Sequence, residues 1–254
     1  MLGAVPRRDL WASKDAVDWQ MVSKETPYPG FSPVTAHLGE IVAYHSSLWR
    51  SPDGVDWRQE PSTGEVPPPG WEVPMISFEE RLVMVYQESV YVCEDGRWSN
   101  FALPWEFRGS PGAAVFNNRL FVAGGAFRGE MTPPARGYAE LTAQNDVWST
   151  NDPTDPSAWV QHTGRAPWLP RMWPVIIPHD GYLYLTSGYD AAAARNLNDT
   201  WRTRDGVSWD VVATERNYPP RHAPTVFSSN GRLVLVAGNT NRRTSVQNDI
   251  WELS

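Results

Sequence analysis

Tryptophan recurs along this chain in pairs, and no other feature restricts the fold as much. The segment Ser51-Pro-Asp-Gly-Val-Asp-Trp57 returns as Ser13-Lys-Asp-Ala-Val-Asp-Trp19 and as Thr203-Arg-Asp-Gly-Val-Ser-Trp209. A shorter copy is Cys93-Glu-Asp-Gly-Arg-Trp98, and a longer one runs from Ser149 to Trp159. Each copy follows an aromatic residue one or two positions upstream: Trp11, Trp49, Tyr91, Trp148 or Trp201. With Trp251, these first aromatics are spaced by 38, 42, 57, 53 and 50 residues. Such a period means that one supersecondary unit is repeated.

The unit reads as four short strands, a to d. The pair of aromatics marks strands c and d, and Asp53-Gly54 and Asp205-Gly206 between them are tight-turn dipeptides. Upstream lies strand b, in Arg119-Leu-Phe-Val-Ala-Gly-Gly125, Tyr182-Leu-Tyr-Leu-Thr-Ser-Gly188 and Arg232-Leu-Val-Leu-Val-Ala-Gly238, and without the glycines in Arg81-Leu-Val-Met-Val-Tyr86. Strand a precedes it at Ala113–Phe116, Val175–Ile177 and Thr225–Phe227, joined by Asn117-Asn118, Asp180-Gly181 and Asn230-Gly231. A column at the start of strand a reads Gly70, Arg108, Arg171, Arg221, and each member lies 12 residues before the leucine of strand b. The unit around Gly30 is one residue shorter.

Short alternating or continuously apolar strands without helical periodicity argue for an all-β chain. A lone four-stranded sheet cannot bury both faces, and radial stacking of such sheets solves this. The expected fold is therefore a single β-propeller domain over 1–254, built of four-stranded antiparallel blades. Four units are complete. The C-terminus adds a, b and c, and the N-terminus adds c and d. The count is five if the N-terminal strand closes the last blade, or six with an incomplete first blade. An open ring would expose strand edges that invite oligomerisation.

The glycine pair Gly124-Gly125, the Asn-Asp-x-Trp runs (Asn145 to Trp148, Asn198 to Trp201, Asn248 to Trp251) and the spaced second tryptophan resemble kelch repeats. They are similar in particular to bacterial kelch propellers related to the galactose-oxidase central domain. The resemblance covers nearly the whole chain, is weakest over 60–100, and implies a propeller of six or seven blades. Relatives of galactose oxidase carry copper beside a tyrosine–cysteine crosslink. Here Cys93 has no matching Tyr/His set, so no cofactor is expected. The Ser-x-Asp-Gly turn resembles the Asp-box of sialidases with one residue fewer, which we read as shared turn chemistry.

Ten of the 14 tryptophans occupy the c or d positions, where inter-blade core is the expected role. The candidate site therefore lies elsewhere. In an antiparallel blade the d–a and b–c connections share one face. That face carries the column Arg108, Arg171 and Arg221, with Phe31, Trp71, Glu72, Trp173 and His222 beside it, and the insertion 126–144 with Arg128, Glu130, Arg136, Tyr138 and Glu140. Converging guanidinium groups suit a carboxylate or phosphate. Equally, these arginines could pair with nearby carboxylates such as Glu72 and Glu106 or with carbonyls.

Composition narrows the classes of function. A net charge of −7 argues against nucleic acid. No apolar run of 18 residues suggests a transmembrane helix, and the first residues do not read as a signal peptide. The one cysteine excludes an internal disulfide. Five histidines without ligand spacing predict no metal site. No nucleophile, phosphate-loop or dinucleotide motif is present. The expectation is a non-catalytic module that binds an acidic carbohydrate or a peptide. One alternative is a mutarotase or epimerase acting on an acidic sugar such as sialic acid, with Glu72 or His222 as acid–base. Another is a subunit-contact protein.

Overall fold

The computed structural model describes residues 8–30, 32–68, 73–128, 141–213, 217–240 and 246–253. Phe31, Gly70, Trp71, Glu72, Glu130, Arg136, Tyr138 and Glu140 lie outside them, and the Arg128 side chain is likewise not described. The chain is all-β, of the β-propeller type, and its described residues form five blade sheets. Contacts divide it into two compact units, Met1–Phe101 and Ala102–Ser254.

The first unit holds two blades. Blade 1 pairs Val34–His37, Glu40–Tyr44, Leu48–Ser51 and Arg58–Glu60 in order. Blade 2 pairs Met75–Phe78, Arg81–Tyr86, Ser89–Glu94 and Arg97–Ala102, and Thr63–Gly64 adds a parallel edge strand. Their sheets meet over Val42, Tyr44, Leu48, Leu82, Met84 and the fully buried Trp98. Cys93 is in this cluster, and burial pushes its thiol up to about 11. Leu10–Ser13 pairs with Trp19–Ser23 as a separate hairpin, the c–d half of a blade. Thus the strand offered for closing the last blade is paired with its own neighbour.

The second unit holds three blades. Blade 3 pairs Gly112–Phe116, Arg119–Ala123, Val147–Thr150 and Val160–Thr163. Blade 4 pairs Val175–His179, Tyr182–Thr186, Thr200–Thr203 and Asp210–Val211. Blade 5 has Thr225–Ser229, Arg232–Val236 and Ile250–Glu252. The a strands of the three blades lie side by side in sequence order. Phe121, Trp168, Ile176, Leu183, Leu185 and Trp209 form the core between blades 3 and 4. Tyr184, Tyr218, Leu233 and Leu235 form that between blades 4 and 5.

The turns follow from their residues. At the a–b hairpins both central residues have positive φ: 49° and 56° at Asn117-Asn118, 45° and 71° at Asp180-Gly181, 51° and 73° at Asn230-Gly231. This is the mirror-image turn that the right-handed twist of a hairpin prefers. The Asp-Gly turns differ from the two-residue turn read from sequence. Arg50 pairs with Arg58, leaving a wider loop. Within it Asp53 Oδ1 accepts from Val55 N (2.8 Å) and Asp56 N (3.0 Å), and Trp57 Nε1 donates to Gly54 O (3.0 Å). The short acidic side chain replaces the missing ladder bonds. Thr203, Asp205, Gly206 and Trp209 repeat this network.

Of the tryptophans expected in the core, Trp98, Trp159 and Trp209 are buried, Trp201 and Trp251 pack half-buried against the cores, and Trp49, Trp57 and Trp148 are half-buried. Trp57 meets Tyr28 edge to face at 4.9 Å, Trp159 meets Trp105 at 5.2 Å, and Trp209 meets Trp168 at 5.9 Å. Trp11 is 45% exposed.

Candidate functional site

The arginine column becomes three copies of one clasp. Arg108, Arg171 and Arg221 are 1%, 0% and 0% exposed. Each grips the aspartate of the Asn-Asp-x-Trp run in its own blade with both terminal nitrogens. Arg108 meets Asp146 at 2.8 and 2.6 Å, Arg171 meets Asp199 at 2.7 and 2.8 Å, and Arg221 holds Asp249 likewise. Each also donates to the carbonyl at the end of strand b: Gly124 O (3.0 Å), Ser187 O (3.0 Å) and Ala237 O (2.6 Å). The motif tryptophans donate to the same carboxylates, Trp148 at 2.8 Å, Trp201 and Trp251 at 2.7 Å. The motif asparagine bonds the d–a connection, Asn145 to Ala166 O and Trp168 O, and Asn198 to Tyr218 O.

The clasp explains the glycines. A Cβ on Gly125 would lie 2.7 Å from Gly109 O and 3.0 Å from Arg108 Cγ, one on Gly188 3.0 Å from Arg171 Cδ, and one on Gly238 2.9 Å from Arg221 Cδ. These glycines are where the buried arginine passes the backbone. The electrostatics are those of compensated charges. Burial pushes Asp199 up, but the bond and charge of Arg171 outweigh it and hold the carboxyl below its usual value. The bond from Arg221 lowers Asp249 to about 2.

This changes the expected role of the column. The three guanidinium groups are buried rather than open to a pocket, with Nε of Arg171 and Arg221 also bonded to carbonyls and Nε of Arg108 buried without a partner. Each is buried and bonded to its own aspartate and carbonyl, and among the described residues those aspartates, not Glu106, are the carboxylates it holds. The geometry makes Arg108, Arg171 and Arg221 the staples of the b–c connections, because each joins the foot where a connection leaves strand b to the foot where it enters strand c.

The face that the column marks does carry a pocket. It lies in the second unit, has a volume of about 890 Å³, and is lined by Ala194 to Asp199, Leu169, Pro219, Pro220, Thr240 and Gln247. All come from b–c and d–a connections of blades 4 and 5. Two of the sequence-derived candidates, Trp173 and His222, meet just behind it. Their rings stack at 4.8 Å, and Tyr189 closes on His222 edge-on at 5.7 Å. His222 Nδ1 bonds Asn196 Oδ1 at 2.7 Å, which connects this cluster to the pocket wall. His222 is 6% exposed, and burial lowers its pKa to about 4. Trp173 has φ 50°, but Ser110 (53°) and Ala223 (48°) share that conformation two residues after their arginines. The strain therefore belongs to the way a blade begins, and is not particular to Trp173.

Tyr189, Asn196, Thr240 and Gln247 were not read as site residues, because the repeat columns do not reach into the connections that carry them. One signal was available. The b–c connection spans Gln87-Glu88 in blade 2 but 187–199 in blade 4 and 237–249 in blade 5. The longer insertion of blade 3 contributes the hairpin Ala126–Arg128 with Leu141–Ala143, and its middle is outside the described residues. Among the described residues no group of three or more His, Cys, Asp or Glu side chains is placed to hold a metal ion.

No protein-family model matches the chain. No curated protein shows significant similarity to it.

Proposed function

We propose that the chain is a kelch-type recognition module whose second unit binds a hydroxyl-rich ligand, a glycan, in the pocket between the connections of blades 4 and 5. The kelch assignment is supported by the way the Asn-Asp-x-Trp run, the glycine column and the arginine column combine in one clasp. The binding assignment is carried by the pocket. Its volume is within the range of small-molecule sites. Asn198, Thr240 and Gln247 line it with amides and a hydroxyl, groups that both donate and accept. A polyol has the same dual character.

The charge of the ligand follows from the clasps. Asp199 lining the pocket is paired with Arg171, whose buried guanidinium is committed to it. An acidic sugar would be met by Arg195, whose side chain is 59% exposed at the rim and only loosely paired with Asp190 at 3.4 Å. The mutarotase reading requires an acid–base group. Of its two candidates, Glu72 is outside the described residues and His222 is buried with its Nδ1 committed to Asn196.

A glycan array with a parallel peptide array tests the proposal. The protein is expected to bind hydroxyl-rich glycans, and Thr240→Ala combined with Gln247→Ala is expected to weaken that binding at least about tenfold with Tm unchanged. Each lost polar contact is worth roughly 1 kcal/mol. Silence on the glycan array, binding confined to peptides, or binding indifferent to the double substitution would each refute it.

A further inference from the structure

The pocket occupies one end of blade 4. The other end, where the a–b and c–d turns lie, carries a cluster of different chemistry. His179, Tyr182 and Arg204 form one row across strands a, b and c, because His179 pairs with Tyr182 and Arg204 follows Thr203, the partner of Leu183. Ile177, Tyr184 and Arg202 form the next row on the same face. The guanidinium carbons of Arg202 and Arg204 lie 4.5 and 4.3 Å from the centroid of the Tyr182 ring. They are therefore no farther apart than those two distances combined.

Neither charge is answered inside the protein. In the second unit Arg108, Arg171, Arg195, Arg221 and Arg232 each have a carboxylate oxygen within 3.8 Å, whereas among the described residues Arg202 and Arg204 have none. Two acids are close in sequence or register. Asp205 accepts from Val207 N and Ser208 N, and Asp210, the cross-strand partner of Arg202, attracts it without an ion pair. Arg202 Nε is buried with no hydrogen-bond partner. Arg204 is exposed, and Arg202 and Tyr182 are half-buried. The ring attracts each cation but does not neutralise it, and two like charges this close repel.

We propose that Arg202 and Arg204 form a second binding site, at the opposite end of blade 4 from the pocket, for a phosphate or sulfate group. A carboxylate has two oxygens, which one guanidinium fork satisfies. A phosphate or sulfate monoester has three free oxygens, spread so that two forks can be met at once. Stacking on Tyr182 already restrains both side chains, so less freedom is lost on binding. The site uses no pocket residue and does not rest on the recognition reading.

Carbon-detected NMR of the arginine Nε–Cζ groups in the intact chain tests this. Sodium phosphate, sulfate and acetate are titrated at pH 7 and constant ionic strength, so that general screening is the same. Phosphate and sulfate should shift the Arg202 and Arg204 signals saturably and leave those of Arg97 and Arg165 in place. Acetate, which engages one fork, should bind at least about tenfold more weakly. Arg204→Gln, on an exposed turn, should weaken phosphate at least about tenfold with Tm unchanged, and adding Arg202→Gln should abolish saturation. A hexose phosphate and a hexose sulfate distinguish the sources of the group. Binding tighter than that of the free ions assigns it to a sugar, and equal or weaker binding assigns the ion itself. The proposal falls if neither ion saturates, if acetate binds as well, or if Arg204→Gln leaves the affinity unchanged. A silent glycan array with these shifts would remove the recognition reading alone.

Discussion

Blades 1 and 2 connect strands b and c by tight turns, whereas blades 3, 4 and 5 carry loops there, and only the latter have the clasp. In the first unit Tyr86 and Ser89 are paired across Gln87-Glu88, and Tyr44 and Leu48 across three residues. Such a turn is held by the ladder on both sides. In the second unit the two feet of the connection are 11 or more residues apart in sequence, and closing that loop costs entropy that the ladder does not recover. The buried guanidinium takes over the task of the turn by bonding the carbonyl of one foot and the carboxylate of the other. At the positions of Gly125, Gly188 and Gly238 the first unit has Ser46 and Gln87, and at the aspartate it has Ser47 and Ser89. Ser46 (φ 59°) and Gln87 (φ 56°) keep the left-handed backbone but have no arginine to clear. The clasp is thus the device that lets a blade carry a long b–c connection.

The clasp of blade 4 depends most on Arg171. Arg171→Ala would leave Asp199 without its counter-charge and Ser187 O without its donor, inside a well-packed unit. Loss of one partner from such a buried pair costs about 3–5 kcal/mol. Ser47→Ala, at the aspartate position of blade 1, should cost less than about 0.5 kcal/mol. Urea denaturation measures both. A loss below about 1 kcal/mol for Arg171→Ala would show that the long connection does not depend on its staple.

Much of this was present in the sequence, but in separate pieces. The strand pattern and hairpin residues led to the blades because a repeat averages over the ambiguity of each short strand. The arginine, glycine and aspartate columns were each visible as well. Read separately, the arginines suggested a ligand. They occur together in the same three units and are missing together from the other two, and that coincidence is the signature of one internal contact. The pocket was legible only as a face. Asn196 and Gln247 belong to connections that differ from blade to blade, so no column marks them. The Trp173–His222 stack joins residues from two blades that are 49 positions apart. Packing brings them together, and periodicity does not announce it.

Gly188 shares its space with the Arg171 side chain. A Cβ there would press on Arg171 Cδ at 3.0 Å, Met172 O at 3.0 Å and Arg171 Cβ at 3.2 Å, with φ at 120°. Gly188→Ala should cost about 2–3 kcal/mol from backbone strain and crowding together. Part of that penalty belongs to the arginine. In an Arg171→Ala background the same substitution should cost about 1 kcal/mol less, a coupling that a double-mutant cycle reads directly. Ser46→Ala in blade 1 should be nearly neutral in the same assay. Strict additivity of Gly188→Ala with Arg171→Ala would separate the glycine column from the clasp.

Acid gives the smallest effect, and its sign is fixed by the clasp. Asp249 falls to about 2 because Arg221 bonds its ionised form, and Asp199 is lowered in the same direction despite burial. A carboxyl depressed in the folded state stabilises fully above its unfolded value of about 3.8. That contribution is lost as pH falls through the folded value. The window is thus pH 4 down to about 2. The Asp249 side chain is 34% exposed, so solvent screening reduces its share to about 1–2 kcal/mol. In the first unit the lowered carboxyls Asp15, Asp53 and Glu40 lie at the surface, where turn amides or an exposed arginine partner them. Exchange protection measured from pH 4.5 to pH 2.5 should therefore fall first in the strands of blades 4 and 5. If blades 1 and 2 lose protection first, the aspartates of the clasp are not what acid attacks.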